Sequence, residues 1–326
     1  MKLIIQIPAY NEEKTIADII KNIPKNIDNI DKIEILVMDD GSSDQTANLS
    51  RQAGANYVFS RKKNIGLGNN FKSGIDATLK LGADIIVNID GDGQFDPQDI
   101  PKLVKPIVEK EAQMVTGSRF LDKNTSKNVP WLKRMGNKYF SKLISQITGQ
   151  KFSDTQCGFR AYSKEAALQL NLFGKFTYTQ EAFIDLAEKG IKIVEVPIAV
   201  KYFKERKSKI SGNLIFYGFR SLGIIANTTR DTQPLSFFGV PGLLLFVFGF
   251  AGGLFSFVYW IIYLVTTPIK TLFIVSVFFM TFGTLLIIFG LLADMIKRVK
   301  KTQEKILYHL RKKEFDKFRE NSESKN

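Results

Sequence analysis

Cysteine and histidine are nearly missing from this chain: Cys157 and His309 each stand alone. A single cysteine excludes an internal disulfide and fits a reducing compartment. A single histidine, far along the C-terminal segment, excludes a His-rich metal site. It also leaves no partner for a Ser-His or Cys-His catalytic pair near the rest of the polar motifs. Acidic side chains are scarce beside basic ones, 32 Asp and Glu against 46 Lys and Arg, for a net charge of +14. Such an excess suits nucleic acid or an anionic lipid surface. No basic stripe interleaved with aromatics is present, so no nucleic-acid partner is expected. Charge of either sign is absent from Leu235 to Thr267 and again from Thr271 to Ala293.

Each uncharged stretch is longer than the roughly 20 apolar residues that cross a bilayer. Two transmembrane helices are expected, about 235–265 and 271–293, joined by Thr266-Thr267-Pro268-Ile269-Lys270 as a hairpin. The connector holds one lysine. Arg220 and Arg230 precede the first span, and Lys297-Arg298-Val299-Lys300-Lys301 follows the second. Cytoplasmic flanks collect Lys and Arg, so both soluble ends are expected in the cytoplasm at the cell membrane. No signal peptide is expected: Lys2 opens a short apolar run, Leu3 to Ile7, that stops at Pro8. Two spans alone bury little surface, which makes a homo-oligomer a reasonable expectation.

The first half alternates short apolar runs with helical patterns. Leu3–Ile7, Ile33–Met38, Asn56–Phe59, Asp84–Ile89 and Gln113–Thr116 read as strands. Thr15–Asn22, Asp44–Gly54, Asn69–Leu81 and a segment opened by Pro97 and running to Glu109 read as helices. This order predicts an α/β fold with a mostly parallel, doubly wound sheet and helices on both faces. Ligands of such sheets bind beyond the carboxyl ends of the strands, where the polar motifs fall. The expected organisation is a catalytic domain over 1–212, amphipathic interfacial helices over 213–234 and two spans within 235–296. A basic cytoplasmic tail, 297–326, is expected to be a solvated amphipathic helix that frays at its end.

The most telling motif is Asn88-Ile89-Asp90-Gly91-Asp92-Gly93-Gln94, directly after an apolar strand. Short side chains at i and i+2 at a strand's end can converge on one hard cation. The oxygens of Asp90, Asp92 and Gln94 suit Mg²⁺ or Mn²⁺, ions that also bind substrate phosphates. The plain alternative is an acidic, glycine-rich turn, and Asp-x-Asp by itself does not decide between them.

The whole series does more. Pro8-Ala9-Tyr10-Asn11-Glu12, Asp39-Asp40-Gly41-Ser42, Asn64-Ile65-Gly66-Leu67-Gly68, Asp90-Gly91-Asp92-Gly93-Gln94, Gly117-Ser118-Arg119 and Asp154-Thr155-Gln156-Cys157-Gly158-Phe159-Arg160 occur in this order. In this the chain resembles the inverting nucleotide-sugar glycosyltransferases of family 2. Among them it is most similar to the polyprenyl-phosphate hexose synthases of the dolichyl-phosphate mannose synthase type. The resemblance implies a GT-A catalytic domain, the Rossmann-like fold of nucleotide-diphospho-sugar transferases. Interface helices and a two-helix membrane hairpin would follow it.

The resemblance also implies roles. Pro8, Tyr10 and Glu12 would hold the nucleoside, and Asp39 would meet base and ribose hydroxyls; an Asx-turn is the alternative for Asp39. Asp90, Asp92 and Gln94 would bind the divalent cation, with Asp92 counted among the catalytic groups. Arg119, Arg134 and Arg206 are candidates for phosphates. Lys209 lies with Arg206 on a cationic segment that could close over the phosphates or could be a solvated charge run. Asp154 and Glu181 are the remaining acids. Asp154 could align the acceptor or orient an arginine, whereas Glu181 also fits an ordinary first helical turn. Cys157 fits packing rather than chemistry.

A phosphomonoester acceptor is largely ionised near neutral pH and needs no strong base, so the lack of a catalytic histidine is no objection. The expected reaction moves one hexose from a UDP- or GDP-sugar to a polyprenyl phosphate. The alternative is a glycosyltransferase that extends a lipid-linked oligosaccharide or glycolipid at a hydroxyl. A non-catalytic membrane subunit is a third reading, opposed by the intact Asp90, Asp92 and Arg119. Processive members of the family carry a Gln-x-x-Arg-Trp motif, and neither Trp131 nor Trp260 has that context.

Overall fold

Apolar residues run almost unbroken from Lys2 to Ala9, and that continuity makes this strand, β1, the centre of the sheet. Leu3, Ile5 and Ile7 enter the core on one face, and Ile4 enters the core on the other. Such a run is the mark of a strand buried on both sides. The computed structural model describes residues 1–122, 129, 131–172, 178–201, 223, 226–227, 229–231, 233–267 and 269–323.

The other strands are β2 (Lys32–Asp39), β3 (Tyr57–Ser60), β4 (Ile85–Asn88), β5 (Met114–Ser118), β6 (Arg160–Ser163) and β7 (Ile193–Pro197). They form one sheet in the order β3-β2-β1-β4-β6-β5-β7. All pairings are parallel except those of β6, which runs antiparallel between β4 and β5. The chain builds outward from β1 through β2 to β3, then returns to place β4 on the other side of β1. The strand order therefore reverses between β1 and β4, where an open α/β sheet forms its ligand crevice.

Helices α1 (Ile16–Lys21), α2 (Thr46–Gln52), α3 (Leu67–Lys80) and α4 (Ile100–Val108) join the first strands. A 3₁₀ turn, Pro97–Asp99, precedes α4, and the Asp96 side chain caps it by accepting from Gln98 N at 3.0 Å. Then come α5 (Trp131–Thr148), α6 (Lys164–Gln169) and α7 (Thr179–Glu188). Helices α1 and α4 pack with Val37, Val87 and Phe159 on one face of the sheet. Helices α3 and α7 pack with Leu36, Ile86 and Tyr162 on the other. The expected two-faced α/β layering is what the structure shows.

Past the sheet, α8 (Val240–Tyr263) follows a π-helical turn at Leu235–Gly239, and α9 runs from Lys270 to Glu323. Both are long and apolar enough to cross a membrane. The chain divides into two compact units, Met1–Ile224 with Ile306–Asn326, and Ile225–Lys305. Within the second unit the two helices meet at small residues. A Cβ on Gly249 would stand 2.6 Å from Ser276 O, and one on Gly283 would stand 2.6 Å from Gly242 O. Small residues of this kind let membrane helices approach closely.

The tail departs from expectation. The sequence predicts a solvated helix, yet Phe315 is 4% exposed and belongs to the core cluster of Leu79, Ala166 and Leu170. Lys164 pairs with Asp316 at 2.8 Å, and Arg311 donates to Leu170 O at 3.1 Å. The amphipathic face of the tail has found a partner in its own domain, because α3 and α6 leave apolar surface for it to cover.

Candidate active site

Three polar turns interlock at the carboxyl ends of β1, β2 and β4. Pro8 lies in β1, and Tyr10 follows it with its ring partly exposed. Asn11 adopts φ +54°, a left-handed conformation that Asn tolerates. That turn lets Asn11 N donate to Ser42 Oγ and Asn11 Oδ1 accept from Ser43 N, both at 2.9 Å. Glu12 N donates to Thr46 Oγ1 at 2.8 Å. The turn after β4 joins them: Thr15 Oγ1 donates to Gly91 O at 2.7 Å, and Gly91 N donates to Pro8 O at 3.3 Å. Buried Asp39 accepts from Ser42 N, three residues on, at 3.0 Å, a bond that tightens the turn after β2. Asp40 accepts from Ile65 N and Gly66 N, both at 3.0 Å, and ties the Asn64–Gly68 turn to β2.

Asp90 sits at the heart of this edge. Its Oδ1 is closed off from solvent, and no donor among the described residues makes a well-formed hydrogen bond to it. Burial, then the charge of Asp92, pushes its carboxyl up to about 7, against the pull of Arg160. Asp92 Oδ1 accepts from Gln94 N at 3.1 Å, which turns the backbone beyond it. An orphaned buried carboxylate oxygen beside a second carboxylate is a set of hard donors whose mutual repulsion a divalent cation would relieve. The residues fit such an ion.

The antiparallel β6 brings in the next group. Asn88 pairs with Arg160 in the β4–β6 register, so the residues leading into β6 arrive at the carboxyl end of β4. Gly158 lies against Asp90 there, and Asp154 reaches Arg119 at the end of β5. Arg119 Nε donates to Asp154 Oδ2 at 2.6 Å and its Nη2 donates to Oδ1 at 2.8 Å, a two-pronged pair. Asp154 is fully buried and also accepts from Gln156 N at 3.2 Å.

The motifs hide two further residues. Glu195, on β7, accepts from Ser153 N and Asp154 N at 2.8 Å each and from Ser153 Oγ at 3.0 Å. Burial raises its carboxyl above the ordinary range. Its only signal in the sequence is an acid between valines, Val194-Glu195-Val196. Arg160 is 0% exposed, donates to Cys157 O at 2.8 Å, and lies 4.6 Å over the Phe183 ring. Its position at the end of a named motif was visible, but nothing in the sequence pointed to its burial.

Of the other expected residues, two are described and two are not. Arg134 is exposed on α5, and Glu181 is half-buried in the first turn of α7. Arg206 and Lys209 lie outside the described residues, as does the rest of the cationic segment. Buried Cys157 is pushed up to about 12, chiefly by burial, which makes it a packing residue.

The glycosyl transferase family 2 profile matches residues 4–170, a span that holds every one of these motifs. The chain belongs to glycosyl transferase family 2. This family 2 glycosyltransferase is 34% identical over 233 residues to the UDP-N-acetylglucosamine–dolichyl-phosphate N-acetylglucosaminyltransferase of Methanococcus voltae, covering 66% of this chain and 90% of that one. It is 29% identical over 308 residues to Glycosyltransferase AglJ of Haloferax volcanii, covering 93% of this chain and 96% of that one. Among solved structures it resembles glucosyl-3-phosphoglycerate synthase of Mycobacterium tuberculosis, crystallised with Mn²⁺, UDP and glucosyl-3-phosphoglycerate. That likeness has a TM-score of 0.52 at 24% identity and covers 71% of this chain and 79% of that one. It shows the GT-A fold of this family 2 enzyme, and the two long apolar helices mark the enzyme as a membrane protein.

Proposed function

We propose that this glycosyltransferase moves a single hexose from a UDP- or GDP-sugar to a polyprenyl phosphate, with inversion, at the cytoplasmic face of the membrane. One observation carries the reading. A single segment, Asp154–Arg160, clamps Arg119 at one end and lies against the Asp90 carboxylate at the other. It couples a group suited to phosphate with a group suited to a phosphate-bound cation. The Methanococcus voltae relative is named for transfer to dolichyl phosphate, and the Mycobacterium tuberculosis structure holds Mn²⁺ with UDP. Both support the proposal.

In this reading Asp90, Asp92 and Gln94 would hold a Mg²⁺ or Mn²⁺ ion. Once bound, that ion would neutralise negative charge on the departing nucleoside diphosphate. Pro8, Tyr10, Glu12 and Asp39 frame the nucleoside. Arg119 faces phosphate, with Arg134, Arg206 and Lys209 as further cations. Asp154 holds the Arg119 guanidinium in one orientation. The acceptor's phosphate oxygen attacks the anomeric carbon from the side opposite the diphosphate. A new C–O bond forms as the bond to the diphosphate breaks, and the diphosphate leaves with its electron pair. Asp154 already accepts from Arg119 and Gln156, which suits an orienting role better than that of a base for a hydroxyl acceptor.

The test is transfer from radiolabelled UDP- and GDP-sugars to polyprenyl phosphate in detergent, with Mg²⁺ or Mn²⁺. The expected result is a labelled lipid released by mild acid, absent with EDTA and lowered more than about 100-fold in Asp92→Ala. No product from any donor, with nucleotide still bound, would transfer the case to a glycolipid hydroxyl acceptor.

A further inference from the structure

Helix α5 has two faces of opposite character. Its inner face is buried through Asn137, Ser141 and Ile144. That face grips the active-site segment: Asn137 Nδ2 donates to Ser153 O at 2.7 Å, and Ser141 Oγ accepts from Thr155 N at 3.2 Å. On the outer face, Trp131, Met135 and Tyr139 follow one another at four-residue spacing. Trp131 is 71% exposed and Tyr139 is 69% exposed, with Met135 also open. A second exposed row, Arg134, Lys138 and Lys142, has the same spacing and runs alongside. At 3.6 residues per turn both rows share one side of the helix. The helix has no acidic residue from Trp131 to Thr148.

Large aromatic rings left in water beside an acid-free row of cations are the wrong surface for bulk solvent and the right one for a lipid headgroup layer. Trp and Tyr favour that layer because one part of the ring is apolar and another part is polar. Lysines near it lay their stems on apolar surface and reach toward lipid phosphates. The charge is complementary to anionic lipid, and the chain has two helices able to anchor it in a bilayer.

We propose that the outer face of α5 rests on an anionic lipid surface. Trp131 and Tyr139 sit at headgroup level, and Lys138 and Lys142 face lipid phosphates. The inner face then holds Ser153 and Thr155 at a set depth beneath the membrane surface. This inference goes beyond the proposed reaction and does not need it, because it concerns physical contact rather than turnover.

The experiment uses the full chain in lipid nanodiscs. Trp131→Cys and Tyr139→Cys are labelled with an environment-sensitive fluorophore, and native Cys157 stays buried. Lys105→Cys is the control, an exposed position on α4, which packs on the opposite face of the sheet. Discs contain phosphatidylcholine with or without phosphatidylglycerol, and nitroxide-bearing lipid serves as quencher. With rings seated in the headgroup boundary, quenching at 131 and 139 should exceed the control by at least about twofold in anionic discs. The double variant Lys138→Glu with Lys142→Glu should bring quenching at 139 down to its level in neutral discs. Equal quenching at all three sites overturns the proposal, and so does quenching that ignores anionic lipid. Blue-shifted emission at 139 without quenching overturns it as well, because protein would then cover the face.

Discussion

Gly158 leaves no room for a side chain, since a Cβ there would stand 2.6 Å from Asp90 Oδ2. The β4–β6 register forces the closeness. Gly158→Ala should displace the carboxylate, lower transfer by about 10- to 100-fold and weaken the response to added Mn²⁺, read in a metal titration of initial rates. Glu195 acts one step further out, through the Ser153 and Asp154 amides. Glu195→Gln keeps the shape but replaces one of the two accepting oxygens with an NH2 donor that faces a backbone N–H. It should lower kcat more than the donor KM, because Asp154 and Arg119 lose their alignment. The Glu195 carboxyl is raised in the folded protein, so the folded state holds that proton more tightly than the unfolded chain does. Its contribution to stability is full below the ordinary carboxylate range and fades as pH rises through the raised value. Melting temperatures taken across that window should fall less in Glu195→Gln. Cys157, pushed up to about 12, should resist thiol reagents at mildly alkaline pH until denaturant is added.

Among the elements, β1 to β5 were readable because their residues interact with near neighbours in the chain. Apolar runs of period 2 or less, broken by glycine and polar turns, mark strands whatever lies across from them. The Pro97 start of the helix before β5 was equally local, although its first turn is 3₁₀. Strand β6 was not legible: Arg160-Ala161-Tyr162-Ser163 is short and has no period, and only pairing between β4 and β5 makes it a strand. Glycines of the membrane helices looked like ordinary composition in the sequence. In the structure Gly242, Gly249 and Gly283 are contact points, and a Cβ on Gly249 would also approach Met280 N to 2.7 Å. Gly249→Leu should force the helices apart at a cost of about 1–3 kcal/mol for overpacking. A lowered melting temperature in detergent would register it, with Gly253→Leu, whose Cβ site is open to 4.0 Å, as the tolerated comparison.

For the whole molecule, the tail is the surprise. Residues 306–323 of α9 return to the catalytic unit, where Tyr308 donates to Glu165 at 2.9 Å and Arg311 lies 3.9 Å from Asp76. Phe315→Ala should destabilise the full-length enzyme by about 3–5 kcal/mol, the usual cost of emptying a buried aromatic site, read as the loss of a cooperative melt. Lys313→Ala, on an exposed position of the same turn, should leave it unchanged. By itself the sequence determined the α/β class, the two apolar spans, the family and the acids and arginine of its motifs. Period, length and short motifs are local properties, and they survive in a string of residues. Tertiary structure alone decided that Asp154 pairs with Arg119, that Gly158 backs Asp90, that Glu195 holds the loop between them and that Phe315 of the tail is buried. Each of these joins residues far apart in the chain, and only the assembled sheet, with its one antiparallel strand, brings them together.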